Sequence, residues 1–206
     1  SAINGRYPKY VEDRIKSLRE AGKIVIEDSA QALGSRTEND IHCGTIGDMG
    51  VFSFGAPKII TTGQGGCIVT NNKEYSDEIV AIKNFGRTVK VGEVYNVMGL
   101  NFKFTDLQAS FGIPQMKKLP FIMLHKKQLF RWYKKHLKNK VDFIETDLDH
   151  VTPTYPEILV NKRDKLVEEL RAEKIGCRAV YDSLCNQPFH RKWKTATPVT
   201  DELASR

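Results

Sequence analysis

The sequence lacks any apolar run that approaches the roughly 20 residues a membrane-spanning helix needs. Its opening residues, SAINGRYPKY, also lack the charged and then apolar pattern of a secretory signal. Neither an internal repeat nor a low-complexity tract occurs. With 40% hydrophobic and 28% charged residues in a chain of 206, the composition is that of a globular protein. We therefore expect a cytoplasmic protein that is not embedded in a membrane.

Closely spaced cysteine pairs are absent as well. The four cysteines are Cys43, Cys67, Cys177 and Cys185. Zinc sites and the disulfide frameworks of small secreted domains are built from closer spacings such as CxxC. We predict free thiols and no metal site.

The charge balance is basic, because 32 Lys and Arg residues outnumber 25 Asp and Glu residues for a net charge of +7. Such a chain can attract nucleic acid, an anionic membrane or a nucleotide-linked metabolite. Much of the excess lies between residues 117 and 140, which a nucleic-acid or membrane-surface helix would explain. An amphipathic helix with solvated lysines explains it better, since apolar residues recur there at helical spacing. The residues predicted to face inward are Leu124, Leu129, Trp132, Tyr133 and Leu137.

Helices and strands alternate through the first half of the chain. A helix is predicted over 9–21 with Gly22 at its C-terminal cap, followed by a buried strand, KIVIED. Strands MGVFSF and CIVTN and a helix over 73–84 come next, which is the order of an α/β sheet. The first helix and strand form the second half of a βαβ unit, so we expect the chain to begin inside a domain.

A further helix is predicted to start at Thr105, with Gln108 at the reciprocal position of a capping box. It runs toward Lys118, and Pro114 predicts a kink or an interruption near Gly112.

The last third of the chain predicts a smaller α+β lobe. It reads as a strand at EILV, a helix after Asn161 that stops at Gly176, and a strand at CRAVY. The tail TPVTDELASR predicts the start of another helix. We place the domain boundary between residues 125 and 126, giving a partial α/β domain over 1–125 and a connecting helix with a partial lobe over 126–206.

Two polar residues follow the first predicted strand. Asp28 lies at its carboxyl end, where open α/β sheets place ligand-binding groups, and a carboxylate there can pair with a protonated heteroaromatic nitrogen. A helix N-cap or a loop-ordering role is equally compatible with that position. Gln31 can bond a ligand oxygen or cap a turn.

The next strand and its loop add a hydroxyl and an amine. Ser53 lies between Phe52 and Phe54, so it points away from them and can donate to a phosphate, although isolated strand serines are commonly structural. Lys58 stands between this strand and a glycine-rich turn, TTGQGG, and is a candidate Schiff-base lysine. The competing interpretation is a solvated surface charge.

The order and spacing of these residues carry a family resemblance. The segments IVIEDSAQALGS, GTIGDMGVFSF, PKIITTGQGG and GLNFKFTDLQASFGIPQMKKL resemble successive motifs of the DegT/DnrJ/EryC1/StrS sugar aminotransferases. The resemblance implies an α/β fold of the pyridoxal-phosphate-dependent transferase type (aspartate aminotransferase type, fold type I), with a smaller α+β C-terminal lobe.

The resemblance also implies roles for individual residues. Lys58 would bond covalently to pyridoxal 5'-phosphate and move the substrate proton, and Asp28 would pair with the pyridinium nitrogen. Gln31 would lie near the ring hydroxyl and Ser53 would bind the phosphate. Asn101 would reach the cofactor phosphate of a neighbouring subunit, which implies a homodimer with a shared site.

The implied function is transfer of an amino group from L-glutamate to a nucleotide-linked keto-deoxy sugar, in deoxyamino-sugar and polysaccharide biosynthesis. The substrate partners would be a nucleotide sugar and an amino-acid donor, with no nucleic acid. A dehydratase of the same family is an alternative, but those relatives carry His where this chain has Lys58. The alternative of another class is a non-catalytic fragment or a basic nucleic-acid-binding module.

Overall fold

A computed structural model describes residues 1–88, 92–193 and 195–206. The chain divides into two compact units. The first unit comprises Ser1–Trp132 and Thr146–Pro156, and the second comprises Tyr133–Glu145 and Glu157–Arg206. The boundary predicted between residues 125 and 126 stays a prediction.

The first unit contains a three-stranded sheet. Its strands are β1 (Ile26–Asp28), β2 (Met49–Ser53) and β3 (Gly66–Val69), in that order. Strands β1 and β2 are parallel, whereas β2 and β3 are antiparallel. The predicted elements are present, but residues 54–65 between β2 and β3 form no helix, and the two strands pair antiparallel; parallel neighbours are usually joined by a helical crossover.

Helix α1 (Val11–Glu20) precedes β1 and ends as predicted. Gly22 takes a left-handed φ of 71° just beyond the last turn, and its N–H donates to the carbonyl of Arg19, as a helix C-terminal glycine does. Helix α2 (Lys73–Lys83) follows β3, and the side chain of Asn72 accepts the N–H groups of its first turn.

Helix α3 (Asp106–Lys117) starts at the predicted capping box. The Thr105 hydroxyl accepts the Gln108 N–H, and the Gln108 side chain accepts the Thr105 N–H. Of the predicted kink or interruption near Gly112, the interruption is wrong, because the helix continues through Pro114, and the kink stays a prediction.

Helix α4 (Leu119–Leu137) contains the basic segment. The prediction of its apolar face is wrong in part, since Leu124 and Trp132 are 60% and 58% exposed, and Phe130 is the side chain that is buried. Helical spacing locates an apolar face, but neighbouring elements decide how much of that face they cover.

The second unit has short elements. Strands β4 (Asp142–Phe143) and β5 (Ile158–Leu159) pair antiparallel, and helix α5 (Arg163–Ala172) follows. Two 3-10 segments, Leu184–Asn186 and Pro188–Trp193, precede helix α6 (Pro198–Ser205), which matches the helix predicted in the tail.

Two predictions for this unit are wrong. The segment 177–181 is not a strand, because it pairs with no neighbour within the described ranges. Helix α5 ends before Gly176, and the left-handed residue after it is Lys174 (φ 59°).

Buried side chains are few and lie mostly in the first unit. They include Ala2, Ala32 and Cys43, which pack together with Tyr7 against them, and Ile59 and Ile60 in the loop after β2. Across the residues that the structure describes, no helix combines the length and the apolar character needed to cross a membrane.

Candidate functional site

The candidate site lies at the carboxyl edge of the parallel strands. Asp28 is the last residue of β1 and Ser53 is the last residue of β2. The register pairs Asp28 with Val51, so Ser53 follows two residues further along the neighbouring strand. Parallel strands end at the same edge of a sheet, which is where α/β proteins bind ligands. We call this region, with the loops that follow β1 and β2, the strand edge.

Asp28 is exposed and its carboxylate is only partly occupied. Its Oδ1 accepts the N–H of Ala30 at 3.1 Å, which orders the turn after β1. No helix follows, so the N-cap interpretation is wrong, while the loop-ordering one is confirmed for that oxygen. Among the described residues, no hydrogen bond occupies Oδ2, which leaves this oxygen available as an acceptor.

Lys58 lies in a loop whose backbone is closely held. Its N–H donates to the Gly55 carbonyl at 3.1 Å, and the next two residues, Ile59 and Ile60, are 7% and 1% exposed. Burial of this pair anchors the loop by hydrophobic contact. Lys58 itself is half-buried, and its amine has no ion pair among the described residues.

Helix α3 holds the far side of the same loop. The Gln115 side chain makes two bonds with Thr61: its Oε1 accepts the Thr61 N–H at 3.1 Å, and its Nε2 donates to the Thr61 carbonyl at 2.6 Å. Gln108 donates from Nε2 to the Gln64 carbonyl at 3.0 Å. The loop that presents Lys58 is therefore fixed to a helix as well as to the sheet.

The turn from this loop into β3 requires glycine. A Cβ at Gly65 would lie 2.5 Å from the Phe104 ring, and one at Gly66 would lie 2.5 Å from the Phe52 carbonyl. Gly65 also has a φ of 139°. Ser53 lies opposite Gly66 across the β2–β3 pair, and its Oγ accepts the Gly55 N–H at 3.3 Å. The hydroxyl proton of Ser53 can therefore be donated to a ligand.

Gln31 is oriented by a residue far from it in sequence. Its Oε1 accepts the backbone N–H of Asn4 at 3.0 Å. Asn4 is only 1% exposed. Because Oε1 faces Asn4, the amide nitrogen of Gln31 is the end that remains for a ligand.

Asn101 lies apart from the other predicted site residues. Its backbone forms a bridge with Asn84 at the end of α2, and its side chain is exposed. No hydrogen bond between described residues joins it to Asp28, Ser53 or Lys58. The four other predicted residues lie on the loops and strand ends of the strand edge, whereas Asn101 does not.

Glu27 is a buried carboxylate on the opposite face of β1 from Asp28, with 3% exposure. Its Oε1 accepts the N–H groups of Ile46 and Gly47 at 2.6 and 2.7 Å. Its Oε2 accepts the Gly44 N–H at 2.9 Å and the Tyr7 hydroxyl at 3.0 Å. These bonds satisfy the carboxylate inside the protein, and they hold the loop before β2 against β1.

Two neighbours of Glu27 keep their protons. Burial, with the nearby Glu27 charge in a smaller role, raises the pKa of the Cys43 thiol to about 12. Burial also raises the pKa of the Tyr7 hydroxyl above its ordinary value, where Glu27 again adds to the shift. Cys43 is therefore an inert core thiol and not a nucleophile.

Two clefts in the described part of the chain lie elsewhere. One, of about 610 Å³, is lined by Leu33, Phe52, Met116, Met123 and neighbouring residues. The other, of about 440 Å³, borders α1. None of the predicted site residues lines either cleft, so we assign the site from side-chain chemistry at the strand edge.

Sequence reasoning missed the residues that hold the site in place. Glu27 could have been found, because a charged residue inside a short buried strand needs internal donors. Gln115 lies one helical turn after Phe111 but carries no motif. Asn4 and Tyr155 have no local signal at all, since their contacts join segments about 150 residues apart.

Comparisons with known proteins identify relatives across nearly the whole chain. GDP-perosamine synthase of Escherichia coli O157:H7 is 28% identical over 205 residues, which cover 97% of this chain and 56% of that protein. The UDP-4-amino-4,6-dideoxy-N-acetyl-beta-L-altrosamine transaminase of Helicobacter pylori is 33% identical over 149 residues, covering 71% and 37%. The chain spans about half the length of the curated relatives that it matches.

Solved structures agree with this relationship. Helicobacter pylori PseC, an aminotransferase involved in the biosynthesis of pseudoaminic acid, superposes with a TM-score of 0.86 at 25% identity, covering 98% of this chain and 57% of that one. The predicted fold class, the α/β fold of the pyridoxal-phosphate-dependent transferases, is thereby confirmed. The sequence profile of the DegT/DnrJ/EryC1/StrS aminotransferase family matches residues 13–206. The chain belongs to the DegT/DnrJ/EryC1/StrS aminotransferase family.

Proposed function

We propose that this chain carries the lysine-bearing part of a pyridoxal-phosphate-dependent sugar aminotransferase. The reaction would transfer an amino group from L-glutamate to a nucleotide-linked keto-deoxy sugar, for deoxyamino-sugar and polysaccharide biosynthesis. The observation that carries this proposal is the arrangement of the strand edge. Asp28 and Ser53 end two adjacent parallel strands, and Lys58 follows on a loop that is bonded to both the sheet and α3.

The polar groups of the strand edge fit the chemistry of the cofactor. A pyridinium N–H needs an acceptor, and Oδ2 of Asp28 is available. A phosphate needs hydrogen-bond donors, and the Ser53 hydroxyl can donate because its oxygen acts only as an acceptor toward Gly55. A ring oxygen needs a donor, and the Gln31 amide nitrogen faces away from Asn4. Asp28 is exposed, and Ser53, Gln31 and Lys58 are each half-buried, so a ligand can reach them.

Each residue would then have a defined task. When bound, the cofactor supplies an electron sink for the carbon that loses a proton. Asp28 would hold a proton on the ring nitrogen by charge pairing. Ser53 would orient the phosphate. Lys58 would bind the cofactor covalently and, once displaced by the donor amine, would carry the proton at its Nζ between substrate and cofactor carbons.

A second copy of the chain would complete the site. Residues 97–113, which we call the apolar segment, expose large apolar side chains next to Asn101. They include Met98, Leu100, Phe102, Leu107 and Phe111, at 95, 55, 66, 69 and 59% exposure. Apolar exposure of this extent marks an interaction surface. A two-fold homodimer would cover these residues and bring Asn101 to the partner's cofactor phosphate.

The substrate class is inferred from the relatives' names. One acts as a GDP-perosamine synthase and another as a transaminase for a UDP-linked dideoxy sugar. We propose a nucleotide-linked keto-deoxy sugar on this ground, and the excess positive charge of the chain favours such a phosphate-bearing substrate.

The basic helix α4 supports this function over nucleic-acid binding. Lys126 donates to the Thr154 carbonyl at 3.0 Å, and Lys127 donates to the Asp149 carbonyl at 2.9 Å. Arg131 lies 3.9 Å from the Asp149 carboxylate. Several of its cations therefore have protein partners and do not form an open phosphate-binding stripe.

Reduction with borohydride tests the role of Lys58. The full-length gene product mixed with pyridoxal phosphate should show an absorbance band near the visible edge, and borohydride should fix a pyridoxyl group on Lys58. Peptide mass spectrometry locates the group. Lys58→Ala should lose the band and the label, whereas the matched variant Lys9→Ala, at an exposed lysine, should keep both.

The same preparation tests the donor and acceptor. Addition of L-glutamate should convert the band and release one 2-oxoglutarate per site, and a panel of GDP- and UDP-linked keto-deoxy sugars should reverse the change. A Lys58→Ala protein that keeps the covalent label would sink the assignment of Lys58.

A further inference from the structure

We propose that Tyr155 is a positioning residue for Lys58, and that Asn4 fixes Tyr155 and Gln31 relative to each other. The inference rests on the proposed function, because it concerns how the reactive amine is presented. It arises from the hydrogen bonds of Asn4 and Tyr155. These two residues lie near the two ends of the first unit's chain and belong to none of the sequence motifs of the site.

Tyr155 contacts the residue directly before Lys58. Its hydroxyl donates to the Pro57 carbonyl at 2.7 Å, across a sequence separation of 98 residues. The peptide that joins Pro57 to Lys58 has two polar groups, the Pro57 carbonyl and the Lys58 N–H. The Lys58 N–H donates to the Gly55 carbonyl, and the Tyr155 hydroxyl binds the Pro57 carbonyl, so both groups of this peptide are held.

Asn4 holds the backbone of Tyr155 with its whole side chain. Its Nδ2 donates to the Tyr155 carbonyl at 2.8 Å. Its Oδ1 accepts the N–H groups of Thr154 and Tyr155 at 2.7 and 3.0 Å. These bonds are formed at a residue that is 1% exposed, where an unmade bond would carry a full desolvation cost.

The backbone of Asn4 holds Gln31 at the same time. Its N–H donates to Oε1 of Gln31, which fixes which end of that amide faces Asn4. Asn4 has a left-handed φ of 51°, a conformation that asparagine tolerates better than most residues. One buried asparagine thus connects Gln31, on the loop after β1, to Tyr155 and through it to the Lys58 loop.

The ring of Tyr155 is itself supported from α4. The Nζ of Lys126 lies 5.9 Å from the ring centroid and donates to the neighbouring Thr154 carbonyl. Because Tyr155 is 46% exposed, its hydroxyl contributes little to the buried core. Its removal should loosen the Lys58 loop without unfolding the protein.

The test uses Tyr155→Phe, which removes only the hydroxyl, in the full-length gene product. Tyr10→Phe is the matched control, because Tyr10 is 72% exposed. In cofactor-free protein, amide hydrogen exchange in the peptide over 54–62 should be about fivefold faster in Tyr155→Phe than in wild type. With cofactor bound, the first-order rate of the L-glutamate half-reaction should fall about fivefold, as loss of one neutral hydrogen bond predicts.

Two further readouts and the control variant separate positioning from a purely structural role. The melting temperature of the cofactor-free variant and its half-saturating L-glutamate concentration should match those of wild type, and Tyr10→Phe should match in every measurement. A Tyr155→Phe protein that reacts at the wild-type rate overturns the inference, whether or not its exchange or melting temperature changes. If wild type itself shows no Lys58-dependent reaction, the proposed function fails and the inference fails with it.

Discussion

The strand edge and the apolar segment belong to the same unit but are built in opposite ways. The strand edge is held by hydrogen bonds made within the chain. Backbone N–H groups donate to both carboxylate oxygens of Glu27, and Gln115 binds Thr61 through both ends of its amide. The apolar segment presents Met98, Leu107 and neighbouring side chains to solvent. The frame of the strand edge is therefore bonded within the chain, whereas the apolar segment has no cover among the described residues.

The difference indicates where each part of the site is determined. A buried network with every group bonded specifies one geometry from the chain alone. An exposed apolar surface specifies a geometry only when something packs on it. Positions of Asp28, Ser53 and Lys58 should therefore depend on substitutions inside this chain, whereas that of Asn101 should depend on association.

The largest effect should come from Glu27→Gln, which removes one of the carboxylate acceptors that hold the frame of the strand edge together. The amide nitrogen of glutamine cannot accept a bond, so it would face N–H donors at 3% exposure. We expect the free energy of unfolding to fall by about 3 kcal/mol, because a buried bond to a charged group is lost and a donor is left unpaired. Urea unfolding of cofactor-free protein measures this.

The control for that substitution is Glu20→Gln on the exposed last turn of α1. It should change the unfolding free energy by less than about 0.5 kcal/mol. Equal stability of the two variants would show that the bonds to Glu27 do not hold the strand edge together.

A second prediction concerns the region without a cover. Leu107→Lys should raise the dissociation constant of the proposed homodimer by about 10- to 100-fold, because a charge would replace an apolar side chain within the proposed interface. Sedimentation across a range of protein concentrations measures it. Leu18→Lys, at a 47% exposed position on α1, should leave association unchanged. Unaltered association of Leu107→Lys would remove the apolar segment from the interface.

The smallest effect should come from a polar pair that is not buried. A hydrogen bond with Asp147 raises the pKa of His150, and the bond with His150 lowers the pKa of Asp147. The His150 contribution is full below about pH 6.5 and is lost as pH rises through its raised pKa; the Asp147 contribution is present above about pH 4 and is lost as pH falls through its lowered pKa.

His150→Gln should therefore lower the melting temperature by no more than about 2 °C at pH 5.5, because neither side chain of the pair is buried. The difference from wild type should be smaller at pH 9, because the His150 contribution is lost as pH rises through its raised pKa. Differential scanning calorimetry at both values measures it. A larger loss at pH 9 than at pH 5.5 would contradict the assigned directions.

Local signals were read from the sequence more accurately than distant ones. Thr105 and Gln108 form the predicted capping box because both partners lie within one turn. The segment 177–181 contains strand-forming residues, but it is not a strand, since a strand also needs a partner that local sequence does not specify. Asn4 and Tyr155 illustrate the same limit at the site.

The roles of Asp28, Gln31, Ser53, Lys58 and Asn101 remain predictions. Their spacing could be read because strands, turns and glycines fix it locally. The hydrogen bonds that orient Gln31 and the Lys58 loop could not be predicted from the sequence, because each depends on a segment that comes close only in the completed fold.

The alternation of side chains along β1 has a consequence for what can evolve there. Glu27 and Asp28 are chemically similar neighbours. The Glu27 carboxylate accepts hydrogen bonds from four donors inside the protein, whereas Asp28 faces solvent and uses one of its two carboxylate oxygens. A slip of one residue in the pairing of β1 with β2 would exchange them, so that the shorter carboxylate met the donors and the longer one met the ligand. Insertions and deletions next to this strand should therefore be excluded from functional variants even where exchanges of single side chains are tolerated.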